Sequence, residues 1–171
     1  SAILLYFGII SNTMNLKIKM TSKRDIEICN WLKSKVPEIS NGDIETVFVK
    51  KSNITQNLRS KMEIELVDPF MSISWIMGQL EIANVESFLN KNEIQIRKVL
   101  EEIYKEKNVK YISVNCMDII NGYSIVVAYN KETADLIQKD LGIQFHNLKG
   151  KTKTLESRKE MIKIMREKYS G

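Results

Sequence analysis

The sequence contains one histidine, two cysteines, two prolines and seven glycines among 171 residues, and each scarcity narrows what the chain can do. The single histidine, His146, has neither cysteine near it in sequence, so it reads as a structural side chain and is assigned no role. Cys29 and Cys116 lie far apart and read as two buried thiols in a reducing, cytoplasmic setting, not as a disulfide. Metal-ligand spacings such as C-x2-C or H-E-x-x-H are absent, and no metal or cofactor is expected. Glycine is too sparse and too scattered for a G-x-x-x-x-G-K loop, a G-x-G-x-x-G turn or a G-x-S-x-G elbow. Acid pairs such as Glu63 with Glu65 and Glu101 with Glu102 arise by chance in a chain that is 27% charged. Long apolar runs are missing too. The longest, residues 2–10, is far short of the roughly 20 residues a membrane helix needs, so no membrane contact is expected. No basic residue precedes it and no small-x-small cleavage pattern follows it, so it reads as a strand or swapped arm and not as a secretory signal. These absences predict a binding protein that is not an enzyme.

What is present can build a core, since 43% of the residues are apolar. The richness in Lys, Ile and Asn resembles the composition of proteins from AT-rich genomes and says little about chemistry. The formal charge of +5 is concentrated. Residues 149–168 carry Lys149, Lys151, Lys153, Arg158, Lys159, Lys163, Arg166 and Lys168 against Glu156, Glu160 and Glu167, which accounts for all of it. Such a segment suits a phosphate backbone or an acidic protein surface, or forms a solvated terminal helix.

Residues 2–10 and 15–20 read as strands joined by Ser11-Asn12-Thr13, a hairpin. Ser22 caps a helix running to about Lys35, with Ile26, Cys29, Trp31, Leu32 and Val36 on its apolar face. Residues 44–49 and 61–67 read as strands. After Pro69 the spacing turns helical, with short helices over 70–80 and 81–89, a polar break at Asn90-Lys91-Asn92, and a long helix over 93–107. That helix carries the stripe Ile96, Val99, Leu100, Ile103 and Tyr104 and the i,i+4 pairs Glu93–Arg97 and Glu101–Lys105. Residues 109–120 and 123–129 form a hairpin about a two-residue Asn121-Gly122 turn. A helix over 133–141 closes at Gly142, and 155–169 is a basic amphipathic helix with Met161, Ile162, Ile164 and Met165 on its apolar side. The expected organisation is a β-rich segment at 1–68, a domain at 69–148 and the basic helix at 149–171.

Residues 81–89 and 93–103, joined by Asn90-Lys91-Asn92, resemble the helix-turn-helix of winged-helix domains. Ala83 falls where that family packs a small residue, and Ile96 and Leu100 fall in its core. The stretch from Arg97 through the hairpin also resembles the winged-helix halves of plasmid replication initiators. The resemblance implies an α+β fold with a winged helix-turn-helix, and a DNA-binding regulator of transcription or a replication factor. Asn92, Gln95, Arg97 and Lys98 would then face base edges or phosphates, and Lys149, Lys151, Lys153, Arg158 and Lys159 would hold the backbone. The alternatives are a protein-interaction or assembly module, which would include a homodimer through the C-terminal helix, and a ferredoxin-like α/β sandwich. In the sandwich Tyr111, Tyr123 and Tyr129 would lie on an open sheet face able to stack RNA bases.

Overall fold

Residues 75–82 are apolar on both sides of an extended chain, the pattern of a strand buried between two layers. In the computed structural model, which describes residues 1–52, 58–66 and 73–169, they form the centre of a mixed sheet. Three helices open the chain, α1 (Ala2–Asn12), α2 (Lys23–Lys35) and α3 (Asn41–Ser52), followed by the short α4 (Leu58–Lys61) and β1 (Glu63–Leu66). Then come β2 (Trp75–Ile82), α5 (Val85–Lys107), β3 (Tyr111–Asp118), β4 (Tyr123–Ala128) and α6 (Lys131–Leu141). The chain finishes with β5 (Phe145–His146), β6 (Lys149–Lys151) and α7 (Arg158–Tyr169). The six strands lie in the order β1-β2-β3-β4-β6-β5. β2 and β3 are parallel, with Gln79 opposite Asn115, and the other pairings are antiparallel.

Alternation of side chains divides the sheet into two faces. Ile76, Leu80, Ile112, Val114, Cys116 and Val127 pack under the Ile96, Val99, Leu100 and Ile103 stripe of α5. On the other face Trp75, Met77 and Val126 meet Ile137 of α6 and Met161, Ile162 and Met165 of α7. A third cluster joins α1, α2 and α3 through Tyr6, Ile10, Cys29, Leu32, Ile44 and Phe48, and takes in Ile119 beyond the end of β3. Both cysteines are buried and free, and burial pushes the Cys116 thiol up to about 12.

The winged helix-turn-helix is not formed. β2 stands where the first short helix was expected, and α5 runs unbroken from Val85 to Lys107 through the expected turn. Asn92 fits inside the helix because its Nδ2 donates to the Phe88 carbonyl at 2.9 Å. The ferredoxin-like alternative fails as well, because that motif splits its βαβ unit with an intervening strand whereas β2 and β3 are direct neighbours. Gly78 leaves room for the Met62 side chain, since a Cβ there would lie 3.2 Å from Met62 Cε. Among the described residues the first segment is helical up to Lys61, not β-rich. Residues 2–10 are α1, and the Val-Phe-Val run of 47–49 lies in α3 with Ile44 and Phe48 buried one turn apart. The expected strand at 61–67 is β1, although residues 67–72 lie outside the described residues.

The β3–β4 hairpin is present with a different turn. Asp118 pairs with Tyr123, so residues 119–122 form the loop, and only Gly122, at φ 80°, takes positive φ. Ser22 caps α2 through a box with Asp25, and α6 ends at Gly142 in the left-handed conformation.

Leu100 is fully buried beneath α5, so Leu100→Ala should lower the unfolding free energy by about 2–5 kcal/mol. Denaturant titration checks this, and a loss well under 1 kcal/mol would contradict the packing.

Candidate functional site

The face of the sheet under α7 is not wholly apolar. Gln79 on β2, Asn115 on β3 and Ser124 on β4 form a polar stripe across three adjacent strands, and the loop before α7 lies on it. The Glu156 carbonyl accepts from Asn115 Nδ2 at 2.7 Å and from Ser124 Oγ at 3.0 Å. The Glu156 N–H donates back to Ser124 Oγ at 3.2 Å. Two residues on, the Arg158 N–H donates to Gln79 Oε1 at 2.8 Å. Ser157 and Glu160 close a capping box, with Glu160 Oε2 accepting from Ser157 N at 2.7 Å and Ser157 Oγ accepting from Glu160 N at 3.3 Å. The loop is thereby stitched to the sheet, and α7 starts at a fixed place.

This placement delivers Arg158 and Lys159 to a cleft of about 280 Å³. Gln79 and Glu81 from β2 form one wall together with Ser157, Arg158 and Lys159. Arg158 is only 7% exposed, while Lys159 is open to solvent. Asn12, Met14, Ile18 and Met20 from the segment after α1 complete the lining. The cleft sits toward the carboxyl ends of the parallel pair β2 and β3, where open α/β sheets commonly bind ligands. Among the described residues that line it, two are cations and one is a carboxylate.

The apolar wall comes from an unusual stretch of backbone. Met14, Asn15 and Leu16 have φ values of 47°, 57° and 61°, a conformation that costs about 1 kcal/mol or more for each non-glycine residue. Thr13 Oγ1 donates to the Ile9 carbonyl at 2.7 Å and accepts from Leu16 N at 3.1 Å. Lys17 Nζ reaches the carbonyls of Ile119, at 2.9 Å, and Ile120 beyond the end of β3. The loop before α7 is therefore anchored on the central sheet, and the Met14 segment on the loop that follows β3.

The residues expected to contact nucleic acid do not converge. Arg97 and Lys98 lie on α5, on the opposite face of the sheet from Arg158 and Lys159. Arg97 Nη2 pairs with Glu93 Oε1 at 2.7 Å and also donates to the Asn147 carbonyl at 3.3 Å. Lys149 Nζ meets Glu93 Oε2 at 2.7 Å, and Lys151 Nζ meets Glu86 Oε1 at 2.9 Å while lying 3.9 Å from the centre of the Tyr123 ring. Asn92 is bound within its own helix, and Gln95, Lys98 and Lys153 are exposed. They divide among three depressions: Arg158 and Lys159 share the cleft beside β2, Lys149 and Lys151 share one with Glu86, and Arg97 and Lys98 share one with Glu101. Gln79, Asn115 and Ser124 were not singled out in the sequence. The Ser157-x-x-Glu160 box is the signal that would have placed the helix start at Arg158. Among the described residues no three His, Cys, Asp or Glu side chains come together as a metal site, and no helix is long and apolar enough to cross a membrane.

No family model matches the sequence, and no curated protein matches it. The fold is similar to a crystal structure from Methanococcus jannaschii described as that of a candidate family II inorganic pyrophosphatase. The TM-score is 0.76 at 21% identity, over 99% of this chain and 56% of that one. The chain thus spans little more than half the length of that protein. This likeness over nearly the whole chain, with β2 and the unbroken α5, overturns the winged-helix and replication-initiator resemblance. The DNA-binding regulator rested on that resemblance and is withdrawn with it, and the interaction module and the expectation of no enzymatic activity, which rested on absent motifs, are withdrawn because the similar structure is described as a candidate pyrophosphatase.

Glu93 is the acid that ties α5 to β6. The Lys149 ammonium, and after it the Arg97 guanidinium, holds its carboxyl below the usual carboxylate range, against the opposing effect of burial. A depressed folded-state pKa contributes stability above the ordinary glutamate value, about 4.3, and that contribution is lost as pH falls through the lowered value. Glu93→Gln should therefore be less stable at neutral pH and should show a shallower loss below about pH 4.3. Urea midpoints measured across acid pH check this, and parallel acid limbs would contradict it.

Proposed function

We propose that this chain supplies the phosphate-gripping side of an enzyme site that hydrolyses a phosphoanhydride, with inorganic pyrophosphate as the simplest substrate. The observation that carries the proposal is the delivery of Arg158 and Lys159, side by side, into a sheet-end cleft whose loop is fixed by Gln79, Asn115 and Ser124. The likeness to a structure described as a candidate inorganic pyrophosphatase supports the same chemistry.

The two cations would act in different ways. A guanidinium is planar and can hold two phosphate oxygens at once, whereas an ammonium is a compact charge that follows the phosphate as it moves. In hydrolysis one water adds across the P–O–P bridge. Its oxygen joins one phosphorus, the bridging oxygen leaves with the other, and the water protons are divided between the two phosphate products and solvent. Negative charge gathers on the leaving phosphate as the bridge breaks, and fixed cations lower the barrier by meeting it there. Because Glu156 and Arg158 are hydrogen-bonded to the sheet, little reorganisation is needed as that charge forms. Glu81, two positions beyond Gln79 on the same face of β2, is the carboxylate in the cleft wall and is suited to orienting a water.

Lys159 is exposed, so its removal should not unfold the chain. Lys159→Ala should weaken pyrophosphate binding about tenfold or more, as expected for one charge-assisted contact, with an unchanged melting temperature. Calorimetric titration with pyrophosphate at low salt, with phosphate release followed in parallel, measures this. Equal affinity in the variant and the parent, or no binding by the parent, would refute the proposal.

A further inference from the structure

A bare diphosphate has no use for an apolar wall, yet the cleft has one. Met14, Ile18 and Met20 line the same cleft as Gln79, Arg158 and Lys159, so its lining is amphipathic. Met20 is 66% exposed, although a methionine with no other role gains by being buried. The wall is also held in place. Three successive non-glycine residues, Met14 to Leu16, are kept at positive φ, and Lys17 ties the segment to the carbonyls of Ile119 and Ile120. Strain of this kind persists where the surrounding structure enforces it, and it clusters at binding sites. At about 280 Å³ the cleft approaches the roughly 300 Å³ at which pockets begin to take drug-sized ligands, and it exceeds what a diphosphate alone fills.

We infer that the cleft takes a diphosphate joined to a flat organic group, and that a nucleoside diphosphate is the class of ligand it fits. The inference rests on the anion-binding reading of the same cleft and adds the second half of the ligand. The phosphates lie against Arg158 and Lys159. The base lies on Met14, Ile18 and Met20, where thioethers give favourable sulfur–aromatic contacts and adapt to a planar ring. The neutral amides Gln79 and Asn12 also line the cleft. The bond from the Arg158 N–H occupies Gln79 Oε1, which makes Nε2, with two N–H donors, the end of that amide offered to the cleft. The positive end of α7 is not the recognition element, because the Arg158 and Glu160 N–H groups are already bonded within the protein.

The test compares two ligands of similar charge, pyrophosphate and ADP, by calorimetry on the full chain and on two variants. ADP should bind more tightly than pyrophosphate and should compete with it. Met20→Ser should weaken ADP roughly threefold to tenfold, the range of sulfur–aromatic contacts, while leaving pyrophosphate affinity and melting unchanged. Lys159→Ala should weaken both ligands. If pyrophosphate binds but ADP binds no better, or if Met20→Ser leaves ADP affinity as it was, the nucleotide inference is wrong and the anion cleft stands. If neither ligand binds, both fall together.

Discussion

The cleft depends on the hydrogen bonds by which an otherwise apolar sheet face holds the loop before α7. Gln79 takes the Arg158 N–H, and Asn115 and Ser124 together take the Glu156 carbonyl. Polar groups buried under a helix cost stability unless they are paired. Asn115 and Ser124 are both fully buried, so their presence among Trp75, Met77 and Val126 calls for a reason. Their partners are backbone atoms of a loop that has no regular structure of its own. The sheet thus supplies to residues 156–158 the order that a strand or helix would otherwise provide, and Arg158 and Lys159 inherit it.

The opposite wall follows the same logic from the other side. A left-handed turn of bulky residues would relax if it were free. It is held by Thr13 from within and by Lys17, which reaches the carbonyls beyond the end of β3. The cationic side is therefore referenced to the central strands, and the apolar side to the loop that leaves β3. Sites held in this way on rigid elements keep their geometry better than sites built from loops alone.

Much of the fold could be read from local chemistry, and the failures have definite causes. α2, α6 and the stripe of α5 announce themselves through Ser22, Gly142 and the 3.6-residue spacing, and the β3–β4 hairpin through its β-rich arms. α1 was misread because a run that is apolar all round has no period to detect. α3 was misread because Val47, Phe48 and Val49 look like a strand, although Ser40 and Asp43 form a capping box that sets a helix in motion. β2 was misread because a strand buried on both faces shows little alternation, and its apolar residues were read by helical spacing. The helix-turn-helix followed from reading Asn90-Lys91-Asn92 as a break, whereas α5 runs through it and Asn92 donates to the Phe88 carbonyl within the helix. Arg158 and Lys159 were visible as cations, though for another role. Gln79, Asn115 and Ser124 were not visible as a group, because they stand far apart in sequence and meet only when parallel and antiparallel pairing brings three strands into register.

The most direct test of this account is to map pyrophosphate onto the backbone amides of the full chain by heteronuclear NMR. The account predicts saturable shifts concentrated at Gln79 and Ser157 to Lys159, with smaller ones at Met14 to Met20 and none around Arg97, Lys98 and Lys149. Shifts centred on the α5 face, or no saturable shift at low salt, would contradict it.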